Sequence, residues 1–245
     1  MDPRQIARRP DPKEGRQVDQ PGAPPTGAEK GGYTLRHIRR KLFSTDPNRR
    51  RILRRLRAWW QHRPGRAVLA FFDVQPITVK AYGGRCYTTA KRLVLQRNQK
   101  TRGRFYLFLL YDVNHGRVHW AFYPGKGATY VCRFLRQIRR WYPRGPLRLA
   151  LDRDPAHPIK ARATRAMMRR LHLNWTSLPK RSPDDNPCET IFSDIQQNVL
   201  DTTNDPDQGA TKGRISRHLR SRNRRSDRFI RISYLEKPRR RTHKN

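Results

Sequence analysis

The chain has 245 residues, and 56 Lys and Arg residues against 19 Asp and Glu residues give it a net charge of +37 at pH 7. Such a charge works against a compact state unless a polyanion is bound, so nucleic acid is the expected partner and a membrane is not. The sequence has no run of about 18 apolar residues and no apolar N-terminal segment, which argues against a transmembrane helix and a secretory signal. Its three cysteines, Cys86, Cys132 and Cys188, are too widely spaced for a zinc site or a disulfide framework. We therefore expect a reducing, cytoplasmic location, associated with the nucleoid.

The two ends of the chain are predicted to lie outside the main fold. Residues 1–32 are rich in Pro, Gly and Gln and poor in apolar residues, so we expect them to be disordered. Residues 33–66 are predicted to form a basic helical linker, with helices at 33–43 and 48–61. The second helix has an apolar stripe and an arginine face, which is either simply solvated or in contact with phosphates. Residues 201–245 are predicted to be a basic tail with one short helix and a disordered end.

Residues 67–200 contain nearly all the strand-like sequence and are predicted to form a mixed α/β domain. Apolar runs bounded by turn residues predict the strands, and helical spacing of apolar residues predicts the helices. The predicted strands are 67–74, a hairpin of 79–84 with 85–89, 105–113, 118–123, 147–151 and 173–178. The predicted helices are 128–142, 157–171 and 187–200.

Three acidic residues occur where a carboxylate needs an explanation. Asp73 lies near the end of the apolar run 67–74, where its charge is costly unless it is paired or bound to a metal. Asp152 directly follows the strand 147–151, at the kind of strand end where ligands bind in α/β sheets. Each aspartate has a simpler alternative, a salt bridge to Arg for Asp73 and a turn or cap for Asp152. For Asp112, which precedes a turn, we favour the structural role.

Glu189 has two interpretations of equal weight. The order Asn186, Pro187, Glu189 is typical of a helix start, with Asn as the N-cap and Glu at the third position. The same glutamate lies at the edge of the helix's apolar face and could point into a cleft beside the sheet. Taken together, Asp73, Asp152 and Glu189 predict one oxygen-rich site for Mg²⁺ or Mn²⁺, and two such ions would suit phosphoryl transfer.

Three segments carry a resemblance to a known family. They are FFDVQPITVKAYGGR (71–85), LRLALDRDPAH (147–157) and LPKRSPDDNPCETIFSDIQ (178–196). They are similar to the first-aspartate strand, the second-aspartate block and the LPxxSPxxNPxE block of mariner-like DDE transposases, in the branch found in bacterial insertion sequences. The resemblance implies a ribonuclease-H-like fold with basic extensions, and a metal-binding catalytic triad of Asp73, Asp152 and Glu189.

The resemblance further implies metal-dependent DNA strand cleavage and strand transfer, with Mg²⁺ or Mn²⁺ as the cofactor. The partner would be double-stranded DNA, bound by a homodimer. His157 would line the site, and Lys180 and Arg181 would lie in the loop before the third acid. Relatives carry helix-turn-helix modules before the catalytic domain, whereas only 66 residues precede it here. We therefore expect a copy without most of that region, in which residues 33–66 could be its remnant.

Two alternatives share these features. An inactive transposase remnant would bind DNA without sequence preference, through phosphate contacts and with a steep dependence on salt. A ribonuclease-H-type nuclease would use the same metal site on a different nucleic acid, since a fold does not determine a substrate.

Overall fold

The computed structural model describes residues 44–80, 101–152, 161–201 and 203–236. The predictions for residues 1–43, for most of the hairpin 79–89, for His157 and for the basic end 237–245 fall outside these ranges. The described elements are, in chain order, α1 (Arg49–Gln61), β1 (Val68–Thr78), β2 (Arg104–Asp112), β3 (Arg117–Tyr123), α2 (Ala128–Trp141), β4 (Leu147–Leu151), α3 (Arg162–Arg170), β5 (Leu173–Ser177), α4 (Pro187–Ile195) and α5 (Gln208–Arg224). A π-helical turn, Gln196–Leu200, continues α4.

The strands form one five-stranded mixed sheet in the order β3-β2-β1-β4-β5. Strand β1 pairs antiparallel with β2 and parallel with β4, and β4 pairs parallel with β5. This arrangement confirms the predicted mixed α/β fold with flanking helices. The predicted strands 105–113, 118–123, 147–151 and 173–178 all occur, each within one residue at either end.

Strand β1 is central along its first half and an edge along its second half. It pairs with β4 from Val68 to Phe72, whereas its pairing with β2 continues to Thr78. From Asp73 onward, the β4 side of β1 therefore has no strand partner among the described residues. Because proline lacks an N–H group, it fits best on such an edge, and Pro76 lies within it. The continued pairing with β2 explains why β1 extends beyond the predicted end at residue 74.

Successive residues of β1 point to opposite faces of the sheet, and each face has its own core. One face, with Val68, Ala70 and Phe72, packs with buried residues of α2 and α3. The opposite face, with Leu69 and Phe71, packs with buried residues of α1, α4 and α5. The helices thus form a layer on each side of the sheet.

Helix α5 differs from the basic tail expected after residue 200. It has 17 residues and buries Ile215 and Leu219 completely, in the core shared by the sheet and α4. The side-chain amide of Asn223 accepts from the backbone N–H of Val118 and donates to its carbonyl, each at 2.8 Å. It therefore satisfies backbone groups of the edge strand β3. The abundant arginines of this segment mask a buried stripe at four-residue spacing.

Helix α4 is nine residues long, and the π-helical turn accounts for the rest of the helix predicted at 187–200. Helix α3 begins at Arg162. Within the described ranges, no helix is long and apolar enough to cross a membrane.

Candidate active site

Asp73 lies in β1, and Asp152 is the first residue after β4, the parallel strand beside it. Phe72 of β1 is in register with Leu151 of β4, and each aspartate is the next residue along the chain. Neighbouring strands lie about 4.8 Å apart, so the two aspartates start from closely spaced backbone positions. The site therefore forms where β4 ends and β1 loses its partner on that side.

Both aspartates belong to the face of the sheet that α4 covers. Leu69 and Phe71, four and two residues before Asp73, are in the core on that face, and so is Ala150, two residues before Asp152. Alternation along a strand therefore directs both carboxylates to the same side. Asp73 is buried, with 7% of its surface exposed, and Asp152 is partly buried.

Glu189 lies in the first turn of α4, and its carboxyl group is close enough to interact electrostatically with both aspartates. Its pKa is raised from 4.5 to about 7, first by burial and then by the negative charges of Asp73 and Asp152. Burial and like charges both oppose ionisation of a carboxyl group. The structure thus places the three predicted site residues near one another, and their role as a site stays a prediction.

Asn186 connects the helix that carries Glu189 to the carboxylate of Asp73. Its side-chain oxygen accepts a hydrogen bond from the backbone N–H of Cys188 at 3.1 Å, which makes it the N-cap of α4. Its side-chain N–H donates to Oδ2 of Asp73 at 2.8 Å. Asn186 is 4% exposed, so one buried amide fixes both the start of the helix and the orientation of an acid. The sequence predicts the cap but gives no signal for the contact with Asp73, which is 113 positions away.

The loop before α4 is held by residues from both ends of the described chain. Arg49, at the start of α1, donates two hydrogen bonds to the buried carboxylate of Asp185, at 2.8 and 2.6 Å. The hydroxyl of Ser182 donates to the same carboxylate. The hydroxyl of Tyr234 donates to the backbone carbonyl of Asp185 at 2.7 Å. These contacts fix the backbone immediately before Asn186.

Lys180 and Arg181 lie in this loop, as predicted, and their side chains are exposed. The backbone N–H of Lys180 donates to Asp46 at 3.0 Å, and its carbonyl accepts from the hydroxyl of Ser44 at 2.7 Å. Arg181 has a positive φ of 49°. A role for either side chain in the site stays a prediction.

Asp112 has the structural role favoured for it. One of its carboxylate oxygens accepts from the backbone N–H groups of Asn114 and His115, at 2.8 and 3.3 Å. The other contacts the imidazole of His115 and accepts from the hydroxyl of Tyr142, both at 2.7 Å. The residue is 1% exposed. Asp112 therefore closes the turn after β2. The Tyr142 hydroxyl beside it is buried, and this burial raises the pKa of the hydroxyl.

The donor set suits a hard divalent cation, because all three groups are carboxylates and Mg²⁺ and Mn²⁺ prefer oxygen. Within the ranges that the structure describes, however, no three acidic, histidine or cysteine side chains are grouped closely enough to hold an ion as they stand. The pKa of Glu189 is raised first by burial and then by the charges of the two aspartates, and a bound cation would offset that repulsion. The residue types therefore fit a divalent cation, although their described arrangement does not yet enclose one.

Comparison with known proteins identifies the family. The family model of DDE superfamily endonucleases matches residues 68–228, about two thirds of the chain. The chain belongs to the DDE superfamily endonucleases. The match includes α5, in agreement with the packing of that helix on the sheet. A comparison with curated protein sequences gives no match.

Comparison with solved structures shows that this chain has the fold of the mariner transposase catalytic domain, which is ribonuclease-H-like. A Mos1 transposase paired-end complex with the left transposon end has a TM-score of 0.58 at 15% identity, covering 85% of this chain and 63% of that one. The Mos1 mariner paired-end complex with Mn has a TM-score of 0.60 at 14% identity, covering 79% and 61%. The isolated catalytic domain of Mos1 has a TM-score of 0.52 at 13% identity, covering 81% and 89%. The chain thus spans a little over three fifths of the transposase chains in those complexes.

Proposed function

We propose that this DDE endonuclease is the catalytic part of a transposase, and that it cuts a DNA strand and transfers it to a target strand. The observation that carries the proposal is the position of Asp73 and Asp152, each one residue beyond the last register pair of β1 and β4, beside a helix whose Glu189 is affected by both charges. In this proposal the three carboxylates are the metal ligands and the catalytic residues. The bacterial insertion-sequence branch stays part of the proposal.

Mg²⁺ or Mn²⁺ is the proposed cofactor, as two ions that activate the attacking oxygen and stabilise the leaving oxygen of a phosphodiester when bound. The chain's own groups prepare this site. Glu189 has to lose its proton before it can act as a ligand, and its pKa of about 7 places that step near neutral pH. Asn186 holds one oxygen of Asp73 in place. The hydrogen bonds of Asp185 keep the preceding loop rigid.

DNA is the proposed substrate because the described surface presents cations in rows. Helix α1 exposes the side chains of Arg50, Arg51, Arg54 and Arg55 on one side while burying Leu53 and Leu56 on the other. Such an arginine face suits contacts with a phosphate backbone, which are independent of base sequence. Action as a homodimer on DNA is part of this proposal, and support comes from the paired-end complexes of Mos1.

The test is nicking of supercoiled plasmid by the full chain in Mn²⁺ at low salt. Wild-type protein should convert the plasmid to the open circle, and Asp152→Asn, Asp73→Asn and Glu189→Gln should each reduce the rate by at least 100-fold. Asp194→Asn, on the same helix but away from the two aspartates, is the matched control and should keep the activity. Equal traces of nicking by wild type and Asp152→Asn would leave a DNA-binding remnant instead.

A further inference from the structure

A second cleft begins at Glu189 and continues along α4 and its π-helical turn. Its volume is about 330 Å³, near the lower end of the range for pockets that hold small organic groups. One wall comes from β1, where Gln75 and Ile77 follow Asp73 on the same face of the strand. The other wall comes from α4 and from the residues up to Asp201. The cleft starts about 6.6 Å along β1 from Asp73, at about 3.3 Å per residue.

The charge of this cleft is opposite to that of the chain. The protein has 56 Lys and Arg residues, yet none lines this cleft among the described residues, and its two ionisable groups are Glu189 and Asp201. A phosphate would meet two carboxylates there and no cation, which is unfavourable. An uncharged group therefore suits this cleft better than a phosphate.

The lining suits a flat, uncharged group with hydrogen-bonding edges. Ile77, Phe192 and Leu200 provide a buried apolar floor. Gln75 and Gln197 provide side-chain amides at the rim, and neither amide has a hydrogen-bond partner within the described part of the chain. A glutamine amide can pair with the edge of a base through a donor and an acceptor at once. An apolar surface beneath it favours contact with the face of a ring.

The π-helical turn shapes the far end of the cleft. The backbone N–H of Asp201 bonds the carbonyl of Gln196 at 2.8 Å, five residues back. The side-chain amide of Gln196 also donates to the carboxylate of Asp201 at 2.5 Å. This contact offsets part of the second negative charge. A π-helical turn is an uncommon widening of a helix and is frequent at functional sites.

We propose that this cleft binds an unpaired nucleobase of the nucleotide next to the cleaved phosphodiester. The proposal rests on the proposed function for the identity of the substrate, and it adds a subsite outside the three carboxylates. The base lies on the apolar floor and pairs its edge with Gln75 and Gln197. The phosphate of the same nucleotide stays at the mouth of the cleft, near Asp73.

The experiment combines a change in the protein with a change in the DNA. The probe is a labelled DNA hairpin with a three-nucleotide 3′ single-stranded extension, whose first unpaired nucleotide is either intact or abasic. Binding to the full chain is measured by fluorescence anisotropy, with Ca²⁺ in place of Mg²⁺. The variant is Gln75→Leu with Gln197→Leu, which keeps the size of both side chains. Gln61→Leu, an exposed glutamine on α1, is the control.

Wild-type protein should bind the intact extension about 10-fold more tightly than the abasic one, in line with roughly 1–3 kcal/mol for a good base contact. The double variant should lose the part of that factor that comes from the amides on the intact extension, and it should bind the abasic extension as wild type does. The slope of affinity against salt should stay the same, because no phosphate contact is removed. The control should behave as wild type throughout.

The proposal is overturned if the double variant loses the same affinity for intact and abasic DNA, or loses no affinity for either. It is also overturned if the variant loses the same affinity for a blunt hairpin. Plasmid nicking by wild type is scored in parallel. If nicking fails while binding depends on the base and on the two glutamines, the proposed catalytic function falls and the base subsite stands. If nicking occurs without that dependence, the subsite falls alone.

Discussion

Removal of the charge on Glu189 is expected to stabilise the metal-free protein above neutral pH. The pKa of Glu189 is about 7 in the folded chain against an ordinary 4.5. Between these values the folded state holds a proton that the unfolded state releases, so stability falls as pH rises through this window. Glu189→Gln cannot ionise and avoids this loss. The variant and wild type should therefore differ little near pH 4.5 and most above pH 7.

The magnitude follows from the size of the pKa change. A change of one in pKa corresponds to about 1.4 kcal/mol, so the full change from 4.5 to about 7 sets an upper bound of roughly 3.4 kcal/mol. Glu189 is only partly buried, and solvent screening reduces this figure to about 2 kcal/mol. The variant also loses a favourable charge at a helix N-terminus, worth about 0.5 kcal/mol. The expected net gain is about 1–2 kcal/mol.

The assay is thermal unfolding of both proteins in EDTA from pH 4.5 to 8.5. Each kcal/mol moves the Tm of a domain of this size by about 2–4 °C. Asp194→Asn is the control on the same helix. Its carboxylate contacts His218 at 2.8 Å and accepts from Asn198 at 2.7 Å, so it should lower the Tm. Added Mn²⁺ should raise the Tm of wild type and not of Glu189→Gln.

A Glu189→Gln variant less stable than wild type at pH 8 would refute this reasoning, because it would mean that the negative charge is favourable where it lies. A gain that is independent of pH would also refute it. In that case the effect would come from packing or from helix propensity rather than from repulsion by the two aspartates.

Three further predictions concern contacts around the site. Asn186→Ala should lower the free energy of unfolding by about 1 kcal/mol, because the N-cap is lost, and it should weaken Mn²⁺ binding through Asp73. Asn186→Ser should restore the stability but not the Mn²⁺ affinity. Chemical unfolding measures the stability, and calorimetric titration measures the affinity. Arg49→Ala should cost about 1–3 kcal/mol in urea unfolding, because it leaves the carboxylate of Asp185 buried with one charged partner removed. Leu219→Ala should cost about 2–5 kcal/mol in the same assay, since this side chain is fully buried.

Each of these three variants has a control and an outcome that would contradict its prediction. Full Mn²⁺ affinity in Asn186→Ser would show that the contact with Asp73 does not orient the acid. A second change, Asp185→Asn, should recover part of the loss in Arg49→Ala, and an unchanged loss would show that the ion pair is not its source. Arg220→Ala on the exposed side of α5 should change stability by less than about 0.5 kcal/mol. If Leu219→Ala were equally mild, α5 would not be part of the core.

Most of the described strands, and the places of the three acids beside strand and helix ends, were predictable because each depends on local sequence; the role of the acids stays a prediction. An apolar run that ends in Asp marks both Asp73 and Asp152, and the N-cap of α4 follows from Asn186 and Pro187. Their proximity depends on the register of β1 against β4, which no local pattern determines. The same is true of the hydrogen bond from Asn186 to Asp73, which joins positions far apart in the chain.

Helix α5 and the contacts of α1 show a second kind of feature that sequence patterns do not predict. In α5 only Ile215 and Leu219 are large apolar residues on the buried side, amid a dense run of arginines. Charge therefore dominates the composition of a helix that is nevertheless packed on the sheet. Arg49 is one of many arginines near the start of α1, and only the folded structure distinguishes it as the partner of Asp185.

The most direct test of the central claim is a crystal structure of the full chain with Mn²⁺, recorded at a wavelength where manganese scatters anomalously. The proposed metal site predicts an anomalous peak between the carboxylates of Asp73 and Asp152, with a carboxylate oxygen of Glu189 also coordinated. A peak only at other acids, such as Asp194 or Asp201, or no peak in crystals of a protein that nicks DNA in Mn²⁺, would contradict it.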